Sequence, residues 1–348
     1  MTRRIEVGGV AVGGGARIPV QSMTTTATAD IEATVAQIHA LEAAGCDIAR
    51  VAVPDIESAR AIAAIKARIQ IPLVADIHFD YRLALASVEA GADKIRINPG
   101  NIGGGERVRE VVDACRARGV PIRVGVNGGS LEKEILAKYG GVATAEALAE
   151  SAIGHVGLLE KLGFYDICVS AKSSDVRTTI AAYRLLSERT DYPLHLGVTE
   201  AGEEFSGLIR SSAGIGALLA DGIGDTIRVS LTAEPVREVE AGVELLRSLG
   251  LRRGGARLIS CPTCGRCRYD MFRVAGEVGR RLRELPEERE ITVAVMGCAV
   301  NGPGEARAAD FGIAGGDGAG VLFRRGEVVG RAPEGELVDR LFEMIEGE

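Results

Sequence analysis

The stretch KIRINP, residues 94–99, together with IRVGVN, residues 122–127, decides how this chain is read. In KIRINP, Arg96 and Asn98 fall on one face of an extended segment and Ile95 and Ile97 on the other. IRVGVN repeats the alternation with Arg123 and Asn127. An aliphatic face suits packing against helices, which leaves the cationic face turned toward the inside of a curled sheet. Working outward, the same kind of short β-branched run recurs as PVQSM (19–23), DIARVAV (47–53), PLVADI (72–77), DICVSA (166–171), LHLGVT (194–199) and TIRVSL (226–231). Each is followed by an Ala/Leu/Glu-rich segment long enough for a helix. Asp30 to Ala44, for example, opens on an N-cap residue and closes at Gly45. Eight strand–helix units between residues 19 and 250 predict an α/β chain built as a closed (β/α)8 barrel. The rival is an open doubly wound sheet. Its dinucleotide signature is absent, because GNIGGG (100–105) does not place a G-x-G-x-x-G between a strand and its helix.

Around LRRGGARLIS (251–260) the rhythm changes. The remainder predicts a small α+β module: a strand (RLIS), a helix from Asp270 to Glu284, a strand (ITVAVM) and a glycine-rich hairpin region. The expected domains are therefore a barrel over 1–253 and a second module over 254–348. Composition fits a folded globular protein, with 46% hydrophobic and 26% charged residues. A formal net charge of −7 argues against a general nucleic-acid binder. No stretch approaches the roughly 20 apolar residues of a membrane span. The amino-terminal MTRRIEVGGVAVGGG lacks an apolar signal-peptide core, so a cytoplasmic location is expected.

Chemistry in such barrels gathers at the C-terminal ends of the strands. Those ends carry Arg50, Asp76 and His78, Arg96 and Asn98, Arg123 and Asn127, Ser170 and Lys172, Thr199 and Glu200, and Arg228 and Ser230. Converging cations are costly to bury without a counter-charge, and arginine suits a bidentate grip on phosphate. An anionic, phosphorylated substrate supplies that counter-charge. The plainer reading is that each arginine pairs with a neighbouring carboxylate, for which Asp76 and Glu200 are the obvious partners. Glu200 also reads as a general acid/base candidate, His78 as either a core hydrogen-bonder or a substrate contact, and Asp76 as a substrate-binding candidate beside it. His39, His155 and His195, like the single Cys46, Cys115 and Cys168, read as structural.

The sharpest local signal is CPTCGRC at 261–267, followed by GCAVNGPGE at 297–305. A C-x-x-C pair with a third cysteine from a later strand end suits zinc or an iron–sulfur cluster. No histidine pair is at hand to close a four-ligand zinc site, and glycine-rich NGPGE offers exposed amides to cluster sulfides. A barrel hydrolase or lyase with a structural zinc stays open as the alternative. A bare electron carrier is disfavoured by the many strand-end charges.

CPTCGR and MGCAVNGPGEA, with PVQSMT, VADIHFDYRLAL, KIRINPGNIG, RVGVNGGSLE, HLGVTEAG and GIGDTIRVSLT in the same order, resemble the bacterial 4-hydroxy-3-methylbut-2-enyl diphosphate synthases. The resemblance runs from about residue 3 to the C-terminus, in the short form without an inserted domain. It implies an iron–sulfur oxidoreductase of isoprenoid biosynthesis. The implied reaction is reductive ring opening of 2-C-methyl-D-erythritol 2,4-cyclodiphosphate. A [4Fe–4S] cluster would be held by Cys261, Cys264, Cys298 and Glu305, with Glu200 as acid/base. Arg50, Arg96, Arg123, Lys172 and Arg228, with Asn98, Asn127 and Ser230, would hold the diphosphate. The resemblance further implies a flavodoxin or ferredoxin donor and a head-to-tail homodimer. Cys267 stands outside the motif and is read as a bystander.

Overall fold

The computed structural model describes residues 1–286, 288–298 and 302–347. The chain divides into two units, Met1–Arg252 and Arg253–Glu348. The first unit opens with a hairpin, β1 (Ile5–Val7) and β2 (Val10–Val12), that the strand–helix rhythm did not disclose. Its Ile5, Val7 and Val12 pack on Ile48, Val74 and Cys168, closing the floor of the sheet that follows.

That sheet runs β3 (Gln21–Met23), β4 (Ile48–Ala52), β5 (Leu73–Asp76), β6 (Lys94–Ile97), β7 (Ile122–Asn127) and β8 (Ile167–Lys172), all parallel and in chain order. Two further strands, β9 (His195–Leu196) and β10 (Thr226–Ile227), pair with each other. Single parallel bridges, Val169 to Leu194 and Val20 to Ile227, join this pair to β8 and to β3. The ring is thereby closed. Helices α1 (Ile31–Ala43), α2 (Ile56–Lys66), α3 (Tyr81–Glu89), α4 (Gly105–Arg118), α5 (Lys133–Lys138), α6 (Ala145–Lys161), α7 (Val176–Arg189), α8 (Glu204–Ala220) and α9 (Pro235–Ser248) fill the connections. Their starts follow from side-chain chemistry: Asp30, Asp55, Asp80, Thr144 and Asp175 each accept a hydrogen bond from a first-turn amide. The aliphatic faces of the strands and helices form one continuous core.

The ladder is thinnest at β9 and β10, where two residues each replace the six-residue runs expected from LHLGVT and TIRVSL. Beyond Leu196 the backbones come very close: a Cβ on Gly197 would lie 2.8 Å from the Arg228 carbonyl oxygen and 2.5 Å from Lys172 Nζ. A side chain from outside the barrel bridges this weak seam. The fully buried Tyr183 of α7 donates from its hydroxyl to His195 O and accepts from Ala171 N at 3.3 Å.

The second unit is a five-stranded sheet in the order β11 (Arg257–Ser260), β12 (Thr292–Met296), β13 (Phe311–Gly315), β14 (Ala319–Arg324) and β15 (Glu327–Pro333). The first three strands are parallel and the last two antiparallel. Helix α10 (Met271–Arg283), capped by Asp270, packs Val274, Val278 and Leu282 onto one face. The short α11 (Gly302–Glu305) precedes β13, and α12 (Leu337–Glu346) adds Leu341, Phe342 and Ile345 to that core.

Replacing Tyr183 with Phe leaves the Ala171 amide and the His195 carbonyl unpaired inside the barrel wall. Tyr183→Phe should lose about 1–3 kcal/mol of stability, read as a lower denaturant midpoint at unchanged slope.

Candidate active site and cysteine module

Period-two alternation along the barrel strands turns the long cations inward. Arg50, Arg96, Arg123, Asn127, Lys172, Thr199, Arg228 and Ser230 line a cavity of about 90 Å³ at the strand ends. Glycines make the room: a Cβ on Gly125 would meet Arg96 Nε at 2.5 Å, as one on Gly197 would meet Lys172 Nζ at the same distance.

Two buried carboxylates face these cations. Asp76 pairs with Arg50 and with Arg96 (3.0 Å), and accepts from His78 at 3.0 Å. Burial by itself raises the Asp76 carboxyl, but Arg50, His78 and Arg96 outweigh it and hold the group far below the usual carboxylate range. Glu238, reaching in from α9, binds Ser22 (3.0 Å), the Leu231 amide (2.9 Å) and Arg228 (3.4 Å). Arg123 donates to Ser170 Oγ at 2.9 Å and is fully buried. Burial, then Arg50 and Arg96, push its guanidinium well down. Lys172 is pushed down by burial, then by Arg123 and Arg228. Asn127, oriented so that its oxygen accepts from Arg96 Nη2 at 3.2 Å, donates to Val126 O.

The expected site residues therefore separate. Arg50, Arg96, Arg123, Asn127, Lys172, Arg228 and Ser230 come together around the cavity. Asp76 sits beneath as their charge partner, and His78 touches both Asp76 and Arg96 with its ring half exposed. Asn98 lies past the end of β6; its Oδ1 accepts from Gly100 N at 3.1 Å, so it shapes the loop rather than lining the cavity. At the β9 end Thr199 enters the cavity lining, while Glu200 is exposed in a left-handed conformation with φ 53°.

Three interior groups escaped the sequence reading. Glu238 lies on a helix, where no strand-end rule applies. Thr199 was seen at its strand end without being assigned a role. Lys94 shares the parity of Arg96, so the alternation already held the signal. Among the described residues its Nζ finds no hydrogen-bond partner, it has no exposure, and burial pushes the ammonium down to about 8. His195 is equally enclosed, pushed down by burial and then by Lys172 and Arg123. Cys46 and Cys115 are buried thiols, each pushed up to about 12, mainly by that burial.

In the second unit, parallel pairing of β11 with β12 in the register Ser260 to Val295 brings Cys261 and Gly297-Cys298 to the same edge of the sheet. The Gly297 amide donates to Cys261 Sγ at 3.1 Å. Cys264 and Glu305 are exposed, and Cys298 is half buried. Asn301 of NGPGE lies outside the described residues. Among the described residues no three His, Cys, Asp or Glu side chains converge as a metal cage. The donor set still suits a thiolate-bound cluster: soft sulfur ligands on two adjacent strand ends, one already accepting a backbone amide. A separate hollow of about 420 Å³, lined by Val329, Arg331, Glu336, Arg340 and Met344 among others, lies between β15 and α12. No described helix is long and apolar enough to cross a membrane.

Together these features define an enzyme of the (β/α)8 class with a cation-lined cavity at its strand ends and a thiol-bearing second module. The family model described as the GcpE TIM-barrel domain matches residues 2–243, and the GcpE protein C-terminal domain matches 257–347. The chain belongs to the GcpE family. It is 59% identical over 345 residues to the 4-hydroxy-3-methylbut-2-en-1-yl diphosphate synthase (flavodoxin) of Geobacter sulfurreducens, covering 99% of this chain and 97% of that one. It is 56% identical to the protein of the same name from Clostridium perfringens, covering 99% and 98%. Among solved structures, the dihydropteroate synthase of Yersinia pestis superposes with a TM-score of 0.52 at 14% identity, over 72% of this chain and 98% of that one. That likeness shows a shared fold alone.

Lys94→Met removes an unpaired ammonium from the barrel interior. The variant should gain about 1–4 kcal/mol of stability. The folded pKa lies near 8 and the unfolded one near ~10.4. Between those values the unfolded chain binds the extra proton, so wild-type stability rises with pH. Thermal melts from pH 8 to 10 should show that rise, and it should flatten in the variant.

Proposed function

We propose that this chain converts 2-C-methyl-D-erythritol 2,4-cyclodiphosphate to 4-hydroxy-3-methylbut-2-enyl diphosphate. The reaction takes up two electrons and two protons and releases one water. The C2–O bond of the ring breaks, leaving the diphosphate on the chain, and the C3 hydroxyl departs as water. The observation that carries the reading is the excess of inward cations over carboxylates at the strand ends. A cyclic diphosphate brings the missing negative charge. Family membership across both units supports the same assignment.

Arg50, Arg96, Arg123, Lys172 and Arg228 hold the two phosphoryl groups, with Ser230, Thr199 and Asn127 as neutral donors. These charge-assisted bonds are stronger in a site shielded from water. Asp76 and Glu238 keep the guanidinium groups in place when no substrate is present, so little reorganisation is needed on binding. His78 and Asn98 serve as neighbouring substrate contacts, the latter through its loop. Glu200 manages a proton at the departing oxygen. In the second unit Cys261, Cys264, Cys298 and Glu305 hold a [4Fe–4S] cluster. When bound, that cluster supplies the two electrons one at a time, drawn from a flavodoxin or ferredoxin in the cytoplasm. Two copies of the chain pair head to tail in this reading.

Anaerobic purification with iron, sulfide and zinc assays is the first test. About four irons and four sulfides per chain, with turnover of the cyclodiphosphate, are expected. Stoichiometric zinc without sulfide after anaerobic reconstitution would sink the reductase reading and favour the hydrolase or lyase. Lys172→Met should raise KM by roughly 10- to 100-fold, the loss of a charge-assisted bond of about 1.5–3 kcal/mol. An unchanged KM would remove Lys172 from the diphosphate site.

A further inference from the structure

Of the four cysteines in the second unit, Cys267 is the one for which the proposed function has no use, and its surroundings are specific. It lies on the loop between β11 and α10, where its amide donates to Cys264 O at 2.9 Å and closes a tight turn. The turn folds Cys267 back toward the sheet edge. There a Cβ placed on Gly297 would lie 3.4 Å from Cys261 Sγ and equally 3.4 Å from Cys267 Cβ. The two cysteines thus lie within reach of the same point, which Met271 Sδ also approaches at 3.4 Å. Both are half buried and both pack against the α10 core, whereas Cys264 is exposed. The Cys267 thiol leans on Tyr269 O at 3.4 Å, a contact weak enough to give up. Tyr269 is itself tied to the sheet edge through its hydroxyl and Met296 O at 2.8 Å. A side chain at position 297 would crowd both cysteines, and glycine avoids that contact.

We propose that Cys261 and Cys267 form a reversible disulfide when the second unit carries no cluster, shielding a cluster ligand from irreversible oxidation. This rests on the reading of Cys261 as a ligand only for its purpose, not for the bond itself. The oxidant is a low-molecular-weight disulfide of the glutathione class. One protein thiolate attacks it, forming a mixed disulfide and releasing one small thiol. The second protein thiolate then displaces the other. One protein S–S bond forms and one small-molecule S–S bond breaks. Two electrons pass to the oxidant, and the two protons end on the released thiols. A dithiol reductant reverses the sequence. Cys267 stands outside the proposed ligand set, so it can resolve a sulfenic acid on Cys261 without engaging a second ligand; left unresolved, Cys261 can climb to sulfinic acid, a step that thiols do not undo.

The test uses the full-length protein, stripped of iron by a chelator and exposed to oxidised glutathione. Trypsin cuts after Arg266 and so separates Cys267 from the peptide bearing Cys261 and Cys264. Peptide mapping without reductant should find Cys267 joined to that peptide, with fragment ions placing the bond on Cys261. A bond to Cys264, which lies at C-x-x-C spacing from Cys267, would overturn the proposal. So would a free Cys267 thiol, or glutathione retained on Cys261. Protein loaded with iron and sulfide should yield several-fold less of the cross-link. Equal yield there would overturn Cys261 as a ligand while leaving the disulfide standing. Finally, Cys267→Ser treated with glutathione disulfide, then peroxide, then dithiol should regain several-fold less iron than wild type, with sulfinic acid on Cys261. Equal recovery would remove the protective role.

Discussion

Positive charge is held inside the barrel in excess of the carboxylates that face it. Arg50, Arg96, Arg123, Lys172 and Arg228 converge at the strand ends, Lys94 lies buried with them, and Asp76 and Glu238 answer for three of the six. An unpaired buried cation is among the most expensive things a fold can keep. Much of the surrounding architecture is arranged around it. Gly125 and Gly197 are small so that long side chains can lie across the strands. Ser170 and Asn127 turn their oxygens toward guanidinium groups. The apolar β1–β2 hairpin plugs the floor, so solvent and carboxylates do not neutralise the site from below.

That arrangement has a cost on the seam of the barrel. Where Lys172 and Arg228 crowd Gly197, regular pairing shrinks to β9 and β10, and single bridges carry closure on either side. Tyr183 restores hydrogen bonds the ladder has lost, from the helix side where the environment is apolar. The second unit solves a different problem. Its parallel strands β11 and β12 end at the same edge, so cysteines far apart in the chain leave the sheet side by side. This juxtaposition lets one module present several sulfur donors without a long ordered loop.

The fold was legible in the sequence to a large extent because period-two and period-3.6 patterns are local. Asp30 capping Ala33 N and Gly45 at φ +93° bound α1 as the residues predict. KIRINP and IRVGVN turn their cations inward as their alternation requires. The strand-end rule named all eight of the cavity's described lining residues and gave a role to seven of them. Asn98 falls just beyond its reach, because β6 ends at Ile97 and alternation has no meaning past the last paired residue. The rule also passed over Glu238, whose carboxylate comes from a helix. The β1–β2 hairpin stayed hidden because its strands are three residues each, too short for a periodic signal.

By itself, then, the sequence determined the barrel, the α+β module, the cationic strand faces and the cysteine pattern, since each is written in spacing along the chain. Tertiary structure decided which charges answer which. Asp76 and Glu238 became counter-ions, Lys94 was left without one, Thr199 rather than Glu200 entered the cavity, and Cys267 came to rest beside Cys261. Such outcomes depend on distances between segments that are remote in sequence. Burial then amplifies those distances, because in a medium of low dielectric a few ångströms separate a paired charge from an exposed one.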